Sequence, residues 1–264
     1  MDAAHLSRGN RLPLAILVTA SALGVAIGVR STASATPNAL GPCPRLSEAP
    51  NLPQRPGGGL LRGDVDGDGV RDRVSIRYAA KARASCGFLL VVETRSKTFA
   101  ARVPEEYKPP DLPVSQWSFA EPFVALIVRL DAYRSQVVVA RSHGAAVVNV
   151  SLHGIVAGRL AQLHFSPQLY ADQLSLFGTV GTGDTNARCR WNGPLIILRR
   201  SPTSATGQRW RFDRIEYRLA GGRFTVTRTR STVVSEAETA KVSRRWGFDV
   251  KPFTGCAIAR GRRL

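Results

Sequence analysis

The sequence has few of the residues that thiolate–metal, redox and hydrolytic sites require. Its 264 residues include four cysteines, four histidines and one methionine, and no C-x-x-C pair occurs. The wide cysteine spacing argues against zinc sites and redox motifs of that type. Neither a G-x-S-x-G elbow nor a phosphate-binding G-x-x-x-x-G-K loop is present. The common motif-based enzyme classes are therefore not indicated.

Acidic residues are scarce relative to basic ones. The chain has 19 Asp and Glu against 37 Lys and Arg, which gives a formal net charge of +18. Such a balance favours contact with polyanions. The predicted partners are anionic cell-envelope polymers or another surface protein. Nucleic acid is not the expected partner, because the sequence shows no aromatic–basic RNA-binding signature and no DNA-reading helix.

Long apolar runs are also missing, except for one at the N-terminus. Arg8 and Arg11 precede the uncharged, largely apolar residues 12–29, and Ala33-Ser34-Ala35 offers an A-x-A cleavage site. This order predicts a signal peptide over residues 1–35. The alternative is an uncleaved anchor that crosses a membrane through residues 12–29. In both cases the rest of the chain is expected to be secreted or at the cell surface.

The cysteines agree with an exported chain. Cys43, Cys86, Cys189 and Cys256 all follow the proposed cleavage site. An even number outside the cytoplasm predicts two disulfides, for which three connectivities exist. Order along the chain alone favours Cys43–Cys86 and Cys189–Cys256.

Sustained helical periodicity is nearly absent, and the predicted fold class is all-β. Residues 36–59 are rich in Pro and Gly and indicate a linker or extended arm, which leaves residues 60–264 for one domain. Propeller-like and sandwich-like arrangements of antiparallel sheets both fit. Ala220-Gly221-Gly222 predicts a hairpin turn, and residues 235–245 predict one short helix. Strands are predicted at 74–78, 87–94, 123–130, 136–141, 145–152, 173–180, 194–199, 209–219 and 223–230.

The feature richest in chemical meaning is the run of residues 64–72, here called the aspartate loop. Ca²⁺ takes roughly six to eight oxygen ligands at about 2.3–2.6 Å, and acidic side chains on alternate residues of a curled backbone can supply them. Gly69 would relieve the sharp turn. The predicted ligands of Ca²⁺ are the side chains of Asp64, Asp66, Asp68 and Asp72 and the backbone carbonyl of Val70. The alternative is an acidic surface turn without a metal.

The flanks of the aspartate loop separate it from an EF-hand. Position twelve is Ser75 instead of Glu, and a strand-like alternation follows instead of a helix. Residues 63–74 resemble an FG-GAP/VCBS repeat, in which such a loop joins two strands of a propeller blade and holds Ca²⁺. The resemblance covers one clear copy and points to small exported proteins of high-GC bacteria with no defined activity. Residues 130–139 can be laid over this copy with most ligands lost, and residues 181–186 form a weaker echo.

Catalytic candidates are few. His143, His153 and His164 are expected to be strand-end or loop residues, and the adjacency of Ser142 and His143 is not triad geometry. Glu105-Glu106 is a carboxylate pair, but a glycosidase needs two carboxylates facing each other across a cleft. The sequence thus predicts an exported non-enzymatic protein with a structural calcium loop that binds at the cell envelope or extracellularly. A secreted hydrolase with an unrecognised active site is the alternative.

Overall fold

Three mainly antiparallel β-sheets dominate the computed structural model, so the predicted all-β class is confirmed. The structure describes residues 40–259, apart from 104–113, 115–121, 144–146, 168, 170–172, 177–183, 191–192 and 204–207. Three predicted features therefore lie outside the described residues: the signal peptide, the Glu105-Glu106 pair, and residues 181–183 of the weaker repeat at 181–186.

The first sheet is a four-stranded antiparallel meander. Its strands lie in chain order, and the aspartate loop joins the first two. The strands are β1 (Leu60–Gly63), β2 (Asp72–Tyr78), β3 (Phe88–Glu93) and β4 (Thr98–Arg102). A four-residue helix, α1 (Ala84–Gly87), lies between β2 and β3.

The second and third sheets contain the remaining described strands. The second sheet has the order β10-β7-β6-β5-β15, with β8 also pairing with β7, and the third has the order β11-β12-β13-β14-β9. The second sheet consists of β5 (Phe123–Arg129), β6 (Ser135–His143), β7 (Val147–Val156), β8 (Arg159–Gln162), β10 (Gln173–Leu176) and β15 (Ala257–Ala259). The third consists of β9 (His164–Ser166), β11 (Asp184–Cys189), β12 (Leu195–Pro202), β13 (Arg209–Ala220) and β14 (Arg223–Ser235).

The second sheet lies between two hydrophobic cores. On β5, Val124 and Ile127 face the first sheet, whereas Leu126 and Val128 face the third. A register shift between Val124 and Leu126 lets Ala125 join the third-sheet side as well. A strand buried on both faces needs apolar residues throughout, which explains why this segment is a continuous apolar run.

In the third sheet, a tight turn joins β13 to β14, and a helix covers one face. Gly221 and Gly222 have φ of 55° and 81°, the left-handed conformation that two-residue hairpins require. The helix α2 (Glu236–Trp246) begins with a capping box between Ser235 and Glu238. It lies on the outer face of the sheet, where Trp246 contacts Phe212 edge-on at a centroid distance of 6.0 Å. The predicted hairpin and helix are both present.

Residues 40–59 lie along the first sheet as an arm. A 3₁₀ helix (Leu46–Asn51) buries Ala49 against Leu89 and Val91 on the outer face of β3. The Arg55 backbone N–H donates to the carbonyl of Ile76 at 2.9 Å.

Both favoured disulfides are present. Cys43 bonds to Cys86 and Cys189 to Cys256, so all four cysteines are paired. Two disulfides indicate an extracellular or otherwise oxidising environment. Within the described part of the chain, no helix has the length and apolar character needed to cross a membrane.

Candidate metal centre in the aspartate loop

The aspartate loop is shaped by its own carboxylates. Asp64 Oδ1 accepts a hydrogen bond from the Gly67 N–H at 2.8 Å, and Asp64 Oδ2 accepts one from the Gly69 N–H at 3.2 Å. Gly67 and Gly69 have φ of 87° and 84°, which L side chains rarely adopt. The alternation of Asp and Gly therefore curls the backbone around the first carboxylate.

Three of the predicted ligands converge. Asp64, Asp66 and Asp72 each place one carboxylate oxygen within 4.8 Å of the others. Asp68 lies outside this group of three, and its Oδ1 accepts a hydrogen bond from the Val70 N–H at 2.7 Å. The Val70 side chain is exposed.

Asp72 is the unusual member of the group because it is buried. Asp72 is only 1% exposed to solvent. Oδ2 accepts hydrogen bonds from the N–H groups of Val65 at 2.7 Å and Asp66 at 3.3 Å, whereas Oδ1 is buried with no hydrogen-bond partner. Burial raises the pKa of Asp72 to about 6, and the charges of Asp66 and Asp68 add to the rise against the lowering by the backbone hydrogen bonds.

These observations test whether the residues fit a cation. A buried carboxylate oxygen without a partner costs free energy unless a cation or donor compensates it. Carboxylate oxygens are the donors that hard cations such as Ca²⁺ take. An ion at the centre of Asp64, Asp66 and Asp72 would relieve the repulsion among the three charges. The donor set therefore fits a hard divalent cation.

The aspartate loop rests on the loop that joins β5 and β6, here called the second loop (residues 130–134). The Ser135 N–H donates to the Asp64 carbonyl at 2.9 Å, and Arg129 Nη2 lies 3.8 Å from Asp64 Oδ2. A Cβ added to Gly67 would lie 3.1 Å from the Tyr133 carbonyl oxygen, so the two loops touch closely. The sequence overlay of residues 130–139 on the first copy predicted a degenerate repeat, but the sequence did not predict this contact between the two loops.

In the second loop, hydrogen bonds satisfy the carboxylate of Asp131 without a metal. Asp131 Oδ1 accepts hydrogen bonds from the N–H groups of Tyr133 at 2.8 Å and Arg134 at 2.6 Å, and Oδ2 accepts one from Gln136 Nε2 at 2.9 Å. A carboxylate with these three donors does not need a cation. The loss of ligands noted in the sequence is thus matched by internal hydrogen bonds.

The best-placed histidine, His153, does not support the hydrolase alternative. His153 is fully buried, and burial lowers its pKa to about 3, so the ring is neutral at physiological pH. Its Nε2 lies 3.0 Å from Ser151 Oγ, but its Nδ1 has no hydrogen-bond partner. A catalytic triad requires a carboxylate at that second nitrogen and a nucleophile that substrate can reach. Both side chains are buried, so this pair gives no support to hydrolysis. His164, at the start of β9, is exposed, and the side chain of His143 lies outside the described residues.

The chain matches no protein-family model, no curated protein and no solved structure. The resemblance to the FG-GAP/VCBS repeat therefore stays a prediction that depends on residues 63–74.

Proposed function

We propose that this protein is an exported, non-enzymatic binding protein whose aspartate loop holds a structural Ca²⁺ ion. Asp64, Asp66 and Asp72 form the centre of the site, and the observation that carries the proposal is the buried, unpartnered oxygen of Asp72. Asp68 and the Val70 carbonyl stay predicted ligands, and water would complete the shell. The ion neutralises the loop and fixes the angle at which β2 enters the first sheet.

The location and the partner follow from charge and disulfides. Two disulfides suit an oxidising compartment, and extracellular modules with single calcium loops bind with dissociation constants of about 0.1–1 mM. The net charge of +18 favours anionic cell-envelope polymers as the ligands. The protein would act as a secreted or surface-bound module, held on the membrane through residues 12–29 where the signal is not cleaved.

Calcium is expected to stabilise the purified protein measurably. At about 10–100 times its dissociation constant, a ligand bound only by the folded state adds about 1.4–2.7 kcal/mol. In a domain of this size, that gain corresponds to a rise in Tm of about 3–10 °C. Thermal unfolding in about 10 mM CaCl₂ against EDTA, together with titration calorimetry, checks this. Equal Tm values and no heat of binding would contradict the calcium site.

A matched pair of variants tests the ligand assignment. Asp66→Asn and Asp68→Asn each remove one charge, and each amide can still accept the backbone N–H that the carboxylate now accepts, from Asp68 and from Val70. Asp66 belongs to the converging group and Asp68 does not. Asp66→Asn is expected to weaken calcium binding about tenfold or more, and Asp68→Asn by less. Equal losses would show that Asp68 binds the ion directly as well.

A further inference from the structure

A groove opens between the second and third sheets, at the end where the aspartate loop lies. Two adjoining clefts of about 730 and 290 Å³ share Asp131, Tyr133 and the β13–β14 turn in their walls. The second loop forms one side. Pro194 and the hairpin around Leu219 form the other. We call these two clefts together the loop-end groove.

Tyr133 stands in this groove with its ring in solvent. It is 80% exposed, whereas the other large hydrophobic side chains that are exposed in the described residues reach at most 44%. Its backbone is held by the hydrogen bond from its own N–H to Asp131 Oδ1. An exposed aromatic ring offers a flat surface for a ring-shaped ligand.

The charges around the ring are positive. Arg129, Arg134 and Arg218 line the groove and are exposed. Arg129 also lies 3.8 Å from Asp64 Oδ2, and Arg134 Nη1 donates to the Ile155 carbonyl at 2.9 Å, so Arg218 is the arginine assigned to the ligand. Asp131 is the acidic residue among the lining side chains, and three donors already occupy its carboxylate. Guanidinium groups bind carboxylate and phosphate through paired N–H donors. An anionic ligand is therefore favoured in this groove over a neutral or cationic one.

We propose that the loop-end groove binds a negatively charged glycan. A sugar ring would lie on the Tyr133 ring, and its carboxylate or phosphate would bind Arg218. This inference rests on the proposed envelope-binding function and names its site and ligand class. Single strands of nucleic acid also stack on aromatic rings beside arginines. The disulfides, which place the protein in an oxidising compartment, favour the glycan.

Binding of three probes to the purified protein tests the proposal. Polygalacturonate carries carboxylates, poly(glycerol phosphate) carries phosphodiesters, and dextran is neutral. We expect one or both anionic probes to bind at low salt, to weaken as salt rises, and to leave dextran unbound. Tyr133→Ala should weaken binding about fivefold and Tyr133→Phe should restore it, whereas Arg218→Ala should weaken it about tenfold. Arg245→Ala, which removes an exposed arginine of α2, should change it less than twofold.

The outcomes separate this inference from the calcium proposal. Only variants whose Tm equals that of the unmodified protein are compared, so that loss of folding is not mistaken for loss of a contact. Unchanged binding by Tyr133→Ala, an equal effect of Arg245→Ala and Arg218→Ala, or tighter binding of oligo(dT) than of either anionic glycan would overturn the groove assignment. Tyr133-dependent glycan binding in a protein that takes up no calcium would support the groove and overturn the calcium proposal alone.

Discussion

Asp72→Asn is expected to stabilise the calcium-free protein and to abolish the stabilising effect of calcium. In the absence of a cation, the raised pKa of Asp72, about 6 instead of 3.8, corresponds to about 3 kcal/mol of stability lost at neutral pH. The neutral amide avoids that loss. Its oxygen can still accept from the Val65 N–H. We expect a net gain of about 2 kcal/mol in EDTA.

The same effect gives the calcium-free protein a defined pH dependence. Because the folded-state pKa of Asp72 lies above its unfolded value, the native state binds the proton more tightly, and stability falls as pH rises from about 4 to about 6. Urea unfolding in EDTA at pH 4.5 and pH 7 measures this fall. The contribution of Asp72 is the part of the fall that disappears in Asp72→Asn.

Asp249→Asn is the control for Asp72→Asn. It removes an equal charge from an exposed site next to the third sheet, and its effect on stability should stay within about 0.5 kcal/mol. If Asp72→Asn lowered stability in EDTA as much as in calcium, the carboxylate would be needed for its hydrogen bonds, and the argument for a cation would lose its basis.

Removing the Cys189–Cys256 disulfide is expected to destabilise the protein by about 4 kcal/mol. The bond closes a loop with a sequence separation of 67 residues, and the chain-entropy relation gives about 4 kcal/mol for that length. Cys256 also holds the C-terminal segment across two sheets. Cys189 lies on β11 of the third sheet, and β15, directly after Cys256, pairs with β5 of the second sheet. Denaturant unfolding of the Cys189→Ala/Cys256→Ala double variant measures the loss.

The other disulfide provides the comparison. Cys43–Cys86 spans 43 residues, for which the entropic loss is only about 0.4 kcal/mol smaller. Nearly equal losses in the two double variants would assign the stabilisation to the unfolded chain. A much larger loss for Cys189–Cys256 would assign it to the link between the second and third sheets. A loss below about 1 kcal/mol in both would contradict the prediction.

The strands that could be predicted from the sequence are those with strong side-chain patterns. The apolar run of β5 and the Gly221-Gly222 hairpin are visible as local signals. The sequence did not predict β1, β4, β8, β9, β11 and β15, because they are short or have few apolar residues in a recognisable pattern. Each of them is a strand because it pairs with a neighbouring strand, which a single segment cannot reveal.

The two candidate sites also differ in how far the sequence predicts them. Spacing alone identified the aspartate loop, but it treated Asp68 and Asp72 alike, although one is exposed and the other is buried. That difference arises because Asp72 begins β2 and faces inward, whereas Asp68 lies at the tip of the curl. The loop-end groove had no sequence signal, since its walls come from segments about 60 and about 90 residues apart that only folding brings together.

The position of the second sheet between two cores has a consequence for how the protein opens. Residues of β5 and β6 contribute to both cores, so neither outer sheet can separate without exposing one of their faces. The backbone amides of these two strands should therefore exchange with solvent at the rate of global unfolding, whereas those of the arm and of β14 should exchange through smaller local openings. Hydrogen-exchange mass spectrometry would reveal the two populations.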